Sequence, residues 1–248
     1  MKKMSVAFKR LLFVIVIIIL AVWLSAYGRQ GVSFVDKISG ELDRALSKTE
    51  TILDYAEDGP VVYALVKRSG GLGEKIFFMV FNRTEDGEWV RGYENDFTSR
   101  KPWKLEAADI DGDGQKEILT AVRKPTTFDP TEKNRLFVFN YDGTVLYKQW
   151  TGSRIAGDWN DFYAGDLVSV PGDELIFVQQ TEDQKEKISV YYWFDFGFFL
   201  LASSDGFEDI RNVSISGENR IRIICQEGKK SETVTMMLQD GKIIRTAE

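Results

Sequence analysis

A chain of 248 residues with a formal charge of −6 is long enough for one ordinary domain or two small ones. It contains no His, which removes His-based acid–base, nucleophile and metal chemistry, and one Cys, which removes any intrachain disulfide. Residues 1–28 hold Lys2, Lys3, Lys9 and Arg10 and no acid, so the rest of the chain has 28 of the 32 basic residues against all 38 acidic ones; that is a poor match for a phosphate backbone, and nucleic acid is discounted as a partner.

The N-terminus carries the clearest local signal. Residues 11–26, LLFVIVIIILAVWLSA, are uncharged and rich in Ile, Leu and Val. The basic residues lie before this run, and Asp36, Glu41 and Asp43 lie after it. The positive-inside rule predicts a cytoplasmic basic flank at 1–10, a transmembrane signal-anchor at 11–28, and an extracytoplasmic remainder. A cleaved signal peptide is the alternative, with the same topology. An exported domain without disulfides fits a bacterial envelope better than an animal cell surface.

Residues 29–57 read as a helical stalk. Val35, Ile38, Leu42, Ala45, Leu46, Thr49, Ile52 and Leu53 recur at three- and four-residue steps, which predicts an amphipathic helix over 34–55 ended by Asp58-Gly59-Pro60. Its apolar stripe packs on the following domain or supports self-association through residues 34–55.

From residue 58 to 248 the chain repeats. Three segments align without gaps: Asp109 to Glu117 (DIDGDGQKE), Asp166 to Glu174 (DLVSVPGDE) and Asn212 to Arg220 (NVSISGENR). Each precedes a β-type run, and a weaker copy begins at Asp54. A second marker follows every copy, an Asp-Gly turn between two strand-like runs, at Asp86-Gly87, Asp142-Gly143, Asp195-Phe196-Gly197 and Asp240-Gly241. Such turns supply the positive φ angles of tight hairpins. The expected fold is mainly β: four degenerate four-stranded antiparallel blade-like units, a small or incomplete propeller.

The stretch Asp109–Glu117, flanked by KLEAADI and ILTAV, resembles the FG-GAP repeat of integrin-α-type propellers. That resemblance implies a β-propeller-like fold and a calcium-binding loop, in a family whose members mostly bind proteins or glycans at cell surfaces. The residues agree. Asp109, Asp111 and Asp113 alternate, Gly114 lets the chain turn back, and the Gln115 carbonyl with the Glu117 carboxylate completes an oxygen cage of the kind calcium prefers. Val168 and Val170 replace ligands in the second copy, so one structural calcium is expected. A solvated acidic turn is the bland alternative.

Trp150, Trp159, Phe162 and Tyr163, in a long polar connection, are candidates for a ligand-binding surface, or for the seal between two units. Cys225 reads as a buried structural thiol. Two function classes remain: a non-catalytic, membrane-tethered binding or assembly module for an envelope protein or glycan, and a glycan-active enzyme working with carboxylates alone.

Overall fold

The computed structural model describes residues 35–71, 73–127, 129–152, 155–168, 171–215 and 219–246. The chain divides into two compact units, Met1–Ser47 and Lys48–Glu248. In the first, one short helix, α1 (Val35–Leu42), runs into a 3-10 turn at Asp43–Ala45. The membrane span expected over 11–28 lies outside the described residues, and no helix among those described is long and apolar enough to cross a membrane.

The second unit is all antiparallel sheet. Four sheets follow in chain order, each a simple meander of four strands. Sheet I comprises β1 (Glu50–Asp58), β2 (Val61–Gly70), β3 (Gly73–Arg83) and β4 (Trp89–Asp96). Sheet II comprises β5 (Pro102–Ala108), β6 (Glu117–Lys124), β7 (Lys133–Tyr141) and β8 (Leu146–Thr151). Sheet III comprises β9 (Trp159–Gly165), β10 (Glu174–Gln180), β11 (Glu186–Phe194) and β12 (Gly197–Ser203). Sheet IV comprises β13 (Asp209–Ile215), β14 (Arg220–Glu227), β15 (Lys230–Gln239) and β16 (Lys242–Arg245).

The expected repeat is therefore present, and all four Asp-Gly turns join third strands to fourth strands. Their backbones explain the composition: Gly87 and Gly143 have φ of 84° and 92°, and Asp195 and Asp240 have φ of 57° and 50°. Position nine of each repeat segment also keeps its meaning. Glu117, Glu174 and Arg220 each begin the second strand of a sheet.

Two expectations fail. The helix predicted over 34–55 stops at Leu42, and residues 50–58 form β1, so sheet I has its own inner strand and no continuous helical stalk exists for self-association. The cause is a β-bulge between Ile52 and Asp54, which leaves Leu53 43% exposed and shifts the strand's alternation by one residue. An interrupted period of two mimics a helical period over so short a run. Asp54 consequently sits in a strand and not in a loop. Asn212 likewise lies inside β13, at φ 47° beside a register shift, so the repeat loop of sheet IV is shorter than that of sheet II.

Three cores join successive sheets. Leu65, Phe78, Ile118 and Phe139 belong to the first, Leu119, Val138, Phe162 and Phe177 to the second, and Ile176, Val190, Ile223 and Met236 to the third. Burying one such side chain contributes about 1.5–3 kcal/mol, so these joints outweigh any surface ion pair. The middle strands of sheets I to III are apolar on both faces, whereas β14 alternates buried and exposed positions. Among the described residues no hydrophobic core joins sheet IV to sheet I.

Candidate metal centre

The acidic loop between β5 and β6 is built around Asp109. Its Oδ1 accepts the N–H groups of Gly112 (2.9 Å) and Asp113 (3.1 Å), and its Oδ2 accepts that of Gly114 (3.0 Å). Gly112 and Gly114 adopt φ of 75° and 87°, which turns these donors inward. At the far end Glu117 is 2% exposed, and its Oε2 accepts the Ile110 N–H at 3.0 Å. The Asn140 amide, in the orientation its acceptors require, donates to Glu117 Oε1 at 3.2 Å.

Carboxylate oxygens of Asp109, Asp111 and Glu117 lie within 4.8 Å of one another. Three acidic oxygens this close repel, and a hard divalent cation relieves that repulsion. Burial pushes the Glu117 carboxyl up to about 7, and Asp111 and Asp113 add to the rise against the opposing Ile110 hydrogen bond. An all-oxygen donor set without thiol or imidazole fits calcium or magnesium better than a transition metal. Of the other two expected ligands, Asp113 stays outside this triad and uses Oδ1 to accept the Gln115 N–H at 2.7 Å; the Gln115 side chain lies 3.4 Å from Asp113 Oδ2. Gln149 of β8, which carries no sequence signal, donates to Asp111 Oδ2 at 3.3 Å.

Sheet III repeats half of this design. Glu174 is 1% exposed and its Oε2 accepts the N–H groups of Leu167 and Val168, at 2.9 and 3.1 Å. The acid at position nine is thus a backbone clamp in both copies, and among the described residues only sheet II adds the converging aspartates. The two loops also interlock. Asp109 N–H donates to Asp173 Oδ2 at 3.0 Å, and Asp173 N–H donates to the Asp109 carbonyl at 2.6 Å. A Cβ on Gly172, at φ 95°, would meet the Ile110 carbonyl oxygen at 2.5 Å. Gly172→Ala is expected to cost about 1–3 kcal/mol more than Gly143→Ala, whose Cβ would meet nothing, because only the former adds a clash to the left-handed strain. Urea unfolding midpoints of the two variants check this, and equal losses would refute the interlock.

The four candidate ligand-binding aromatics lie elsewhere. Trp159 and Phe162 are 4% and 0% exposed and share a core with Leu119, Leu136 and Val138, so they seal sheet III against sheet II. Trp150 meets Phe198 edge-on at 5.2 Å, and Tyr163 donates its hydroxyl to Asp161 at 2.8 Å. Cys225 is fully buried, and burial raises its thiol pKa.

These features define a class: a mainly β protein of four four-stranded antiparallel sheets, with one acidic loop able to hold a hard cation. No family model matches the chain, and no curated protein does. Among solved structures it is similar to one described as a Xanthomonas Type IV Secretion System related protein, with 13% identity, 82% of this chain and 96% of that chain covered, and a TM-score of 0.29.

Proposed function

We propose that this protein is a membrane-tethered, extracytoplasmic binding or assembly module, non-catalytic, whose FG-GAP-like loop holds one structural calcium. The observation that carries this reading is the convergence of Asp109, Asp111 and Glu117 on one point of the loop. The tether rests on the apolar run at 11–26 with its one-sided basic flank. Calcium would neutralise the three carboxylates and stiffen a loop that is already hydrogen-bonded to its neighbour in sheet III. Its role is structural: it pins the loop against sheet III.

Thermal melts of the full-length protein in chelator and in millimolar calcium test the site. Calcium at about a hundredfold excess over Kd contributes about 2.7 kcal/mol, a rise of about 5–10 °C for a domain of this size. Asp111→Ala combined with Asp113→Ala should abolish the rise, while equal melting temperatures for the unmutated protein would refute the site. Fractionation tests the tether: the protein should pellet with membranes, and residues beyond 28 should be cut by protease added to spheroplasts. Full-length protein recovered in the cytosol would refute that.

A further inference from the structure

The hairpin of β11 and β12 departs from its three counterparts. Elsewhere the turns that join third strands to fourth strands are polar: Glu85-Asp86-Gly87-Glu88 in sheet I, Asp142-Gly143-Thr144 in sheet II and Asp240-Gly241 in sheet IV. In sheet III Phe194 pairs with Gly197 around Asp195 and Phe196, just as Gln239 pairs with Lys242 around Asp240 and Gly241. Phe196 therefore stands where sheet IV has a glycine. It is 75% exposed, and Phe194 is 62% exposed. Residues 188–204 carry a single charge, that of Asp195.

The rings are held in place on both sides of this hairpin. Phe199 meets Phe194 edge-on at 5.9 Å and Tyr192 at 6.2 Å. On the opposite face Phe198 meets Trp193 at 5.0 Å and Trp150 of β8 at 5.2 Å, which fixes the hairpin against sheet II. β12 is the outer strand of sheet III. Phe199 and Leu200 follow one another on it, so they point to opposite faces, and they are 45% and 53% exposed. The hairpin is thus apolar on both faces and at its tip. A flat protein surface would cover one face and leave the others wet; a medium that surrounds the tip covers all of them.

We infer that this hairpin docks on a phospholipid surface, its rings at the boundary between headgroups and acyl chains. The inference rests on the tether and deepens it with a second membrane contact. The apolar run ends at residue 26 and the all-sheet unit begins at Lys48, so at most about 75 Å of extended chain lies between them. The bilayer is therefore the apolar medium always within reach, and tethering turns a weak attachment into an intramolecular one at an effective concentration of about millimolar. The exposed Asp195 carboxylate limits the depth, because it stays at a level where water still solvates it. The chain beyond residue 28 is acidic, so the attraction is apolar and owes nothing to anionic headgroups.

The test uses the full-length protein reconstituted in phosphatidylcholine vesicles. Cys225 is fully buried, so Phe196→Cys and, as a control on sheet IV, Lys230→Cys each take one nitrobenzoxadiazole label. Phosphatidylcholine spin-labelled near the headgroup should quench the label at 196 and spare that at 230. Iodide on both sides of the bilayer should do the reverse. The pattern should survive high salt and grow no stronger when anionic lipid is added. Phe194→Ser combined with Phe199→Ser should lower the docked-to-free ratio about tenfold or more at an unchanged melting temperature. Protein that floats with the vesicles while iodide quenches both labels alike overturns the hairpin contact and leaves the tether standing. Protein that does not float removes the tether and this inference with it. Disulfide-linked dimers of Phe196→Cys chains without lipid quenching identify a second copy as the occupant and overturn the inference.

Discussion

Glu50→Ala is expected to destabilise the protein by about 3–5 kcal/mol, the usual cost of deleting one partner from a buried ion pair. The Glu50 side chain is 1% exposed and lies between two guanidiniums. Its Oε1 accepts Arg68 Nη2 at 2.6 Å and Nε at 2.9 Å, and its Oε2 accepts Arg91 Nη2 at 2.7 Å. These contacts tie β1 to β2 and β4 across sheet I. Removing the carboxylate leaves two cations facing each other with Glu94 still bonded to both, to Arg68 at 2.6 Å and to Arg91 at 3.1 Å. Glu94 is itself 30% exposed, so Glu94→Ala should cost only about 1 kcal/mol. Urea unfolding of both variants, with unchanged m-values, measures the difference. Similar losses for the two would show that the desolvated carboxylate is not what holds the sheet.

Sheet I also marks the limit of what the sequence discloses. The hairpin tips were legible because Asp-Gly demands one backbone geometry wherever it falls, and the middle strands because runs such as LIFV and ILTAV admit few alternatives. Residues 50–58 were not legible as a strand. Their identity depends on a bulge at Leu53 and on partners in β2, which no local period encodes. Sheet pairing there overrode a helical pattern that extends correctly only over Val35–Leu42.

The candidate metal loop was legible for the opposite reason. Asp109, Asp111, Gly114 and Glu117 act within nine residues, so their spacing alone carries the geometry. Alternation alone does not say which aspartate turns to accept a neighbouring N–H, as Asp113 does from Gln115. The aromatics between Trp150 and Tyr163 left two readings open, a ligand surface and a seal between units, because polar neighbours in sequence say nothing of Phe177 and Phe198, their neighbours in space. Long-range polar pairs were invisible altogether. Lys104 reaches Asp161 at 2.8 Å across fifty-seven residues, joining β5 to β9, and Asp54 Oδ2 accepts the Leu105 N–H at 2.7 Å, joining β1 to β5.

That polar joint makes stability depend on pH in a direction opposite to ordinary acid denaturation. Burial pushes the Glu106 carboxyl up to about 7 from an ordinary 4.5; Lys104, 3.5 Å away, opposes the rise, and Asp54 and Asp161 add to it. Tyr163 faces the same cluster and stays neutral, its hydroxyl raised by burial and by the bond to Asp161. A group whose folded pKa is raised binds its proton more tightly in the folded state. Its contribution is complete below the unfolded value and is lost as pH climbs through the folded one. Stability from Glu106 should therefore fall between 4.5 and about 7 and stay level above. With the side chain 29% exposed, water screens the effect, and a loss of about 1–2 kcal/mol is expected. Glu106→Gln mimics the protonated acid and should abolish that slope, so the variant gains on its parent as pH rises. Urea melts of both proteins at about pH 5 and about pH 8, each in chelator so that the metal loop contributes equally, isolate the difference. A gap between variant and parent that does not change with pH would mean that Glu106 is ionised in the folded protein throughout, and that Lys104 outweighs burial.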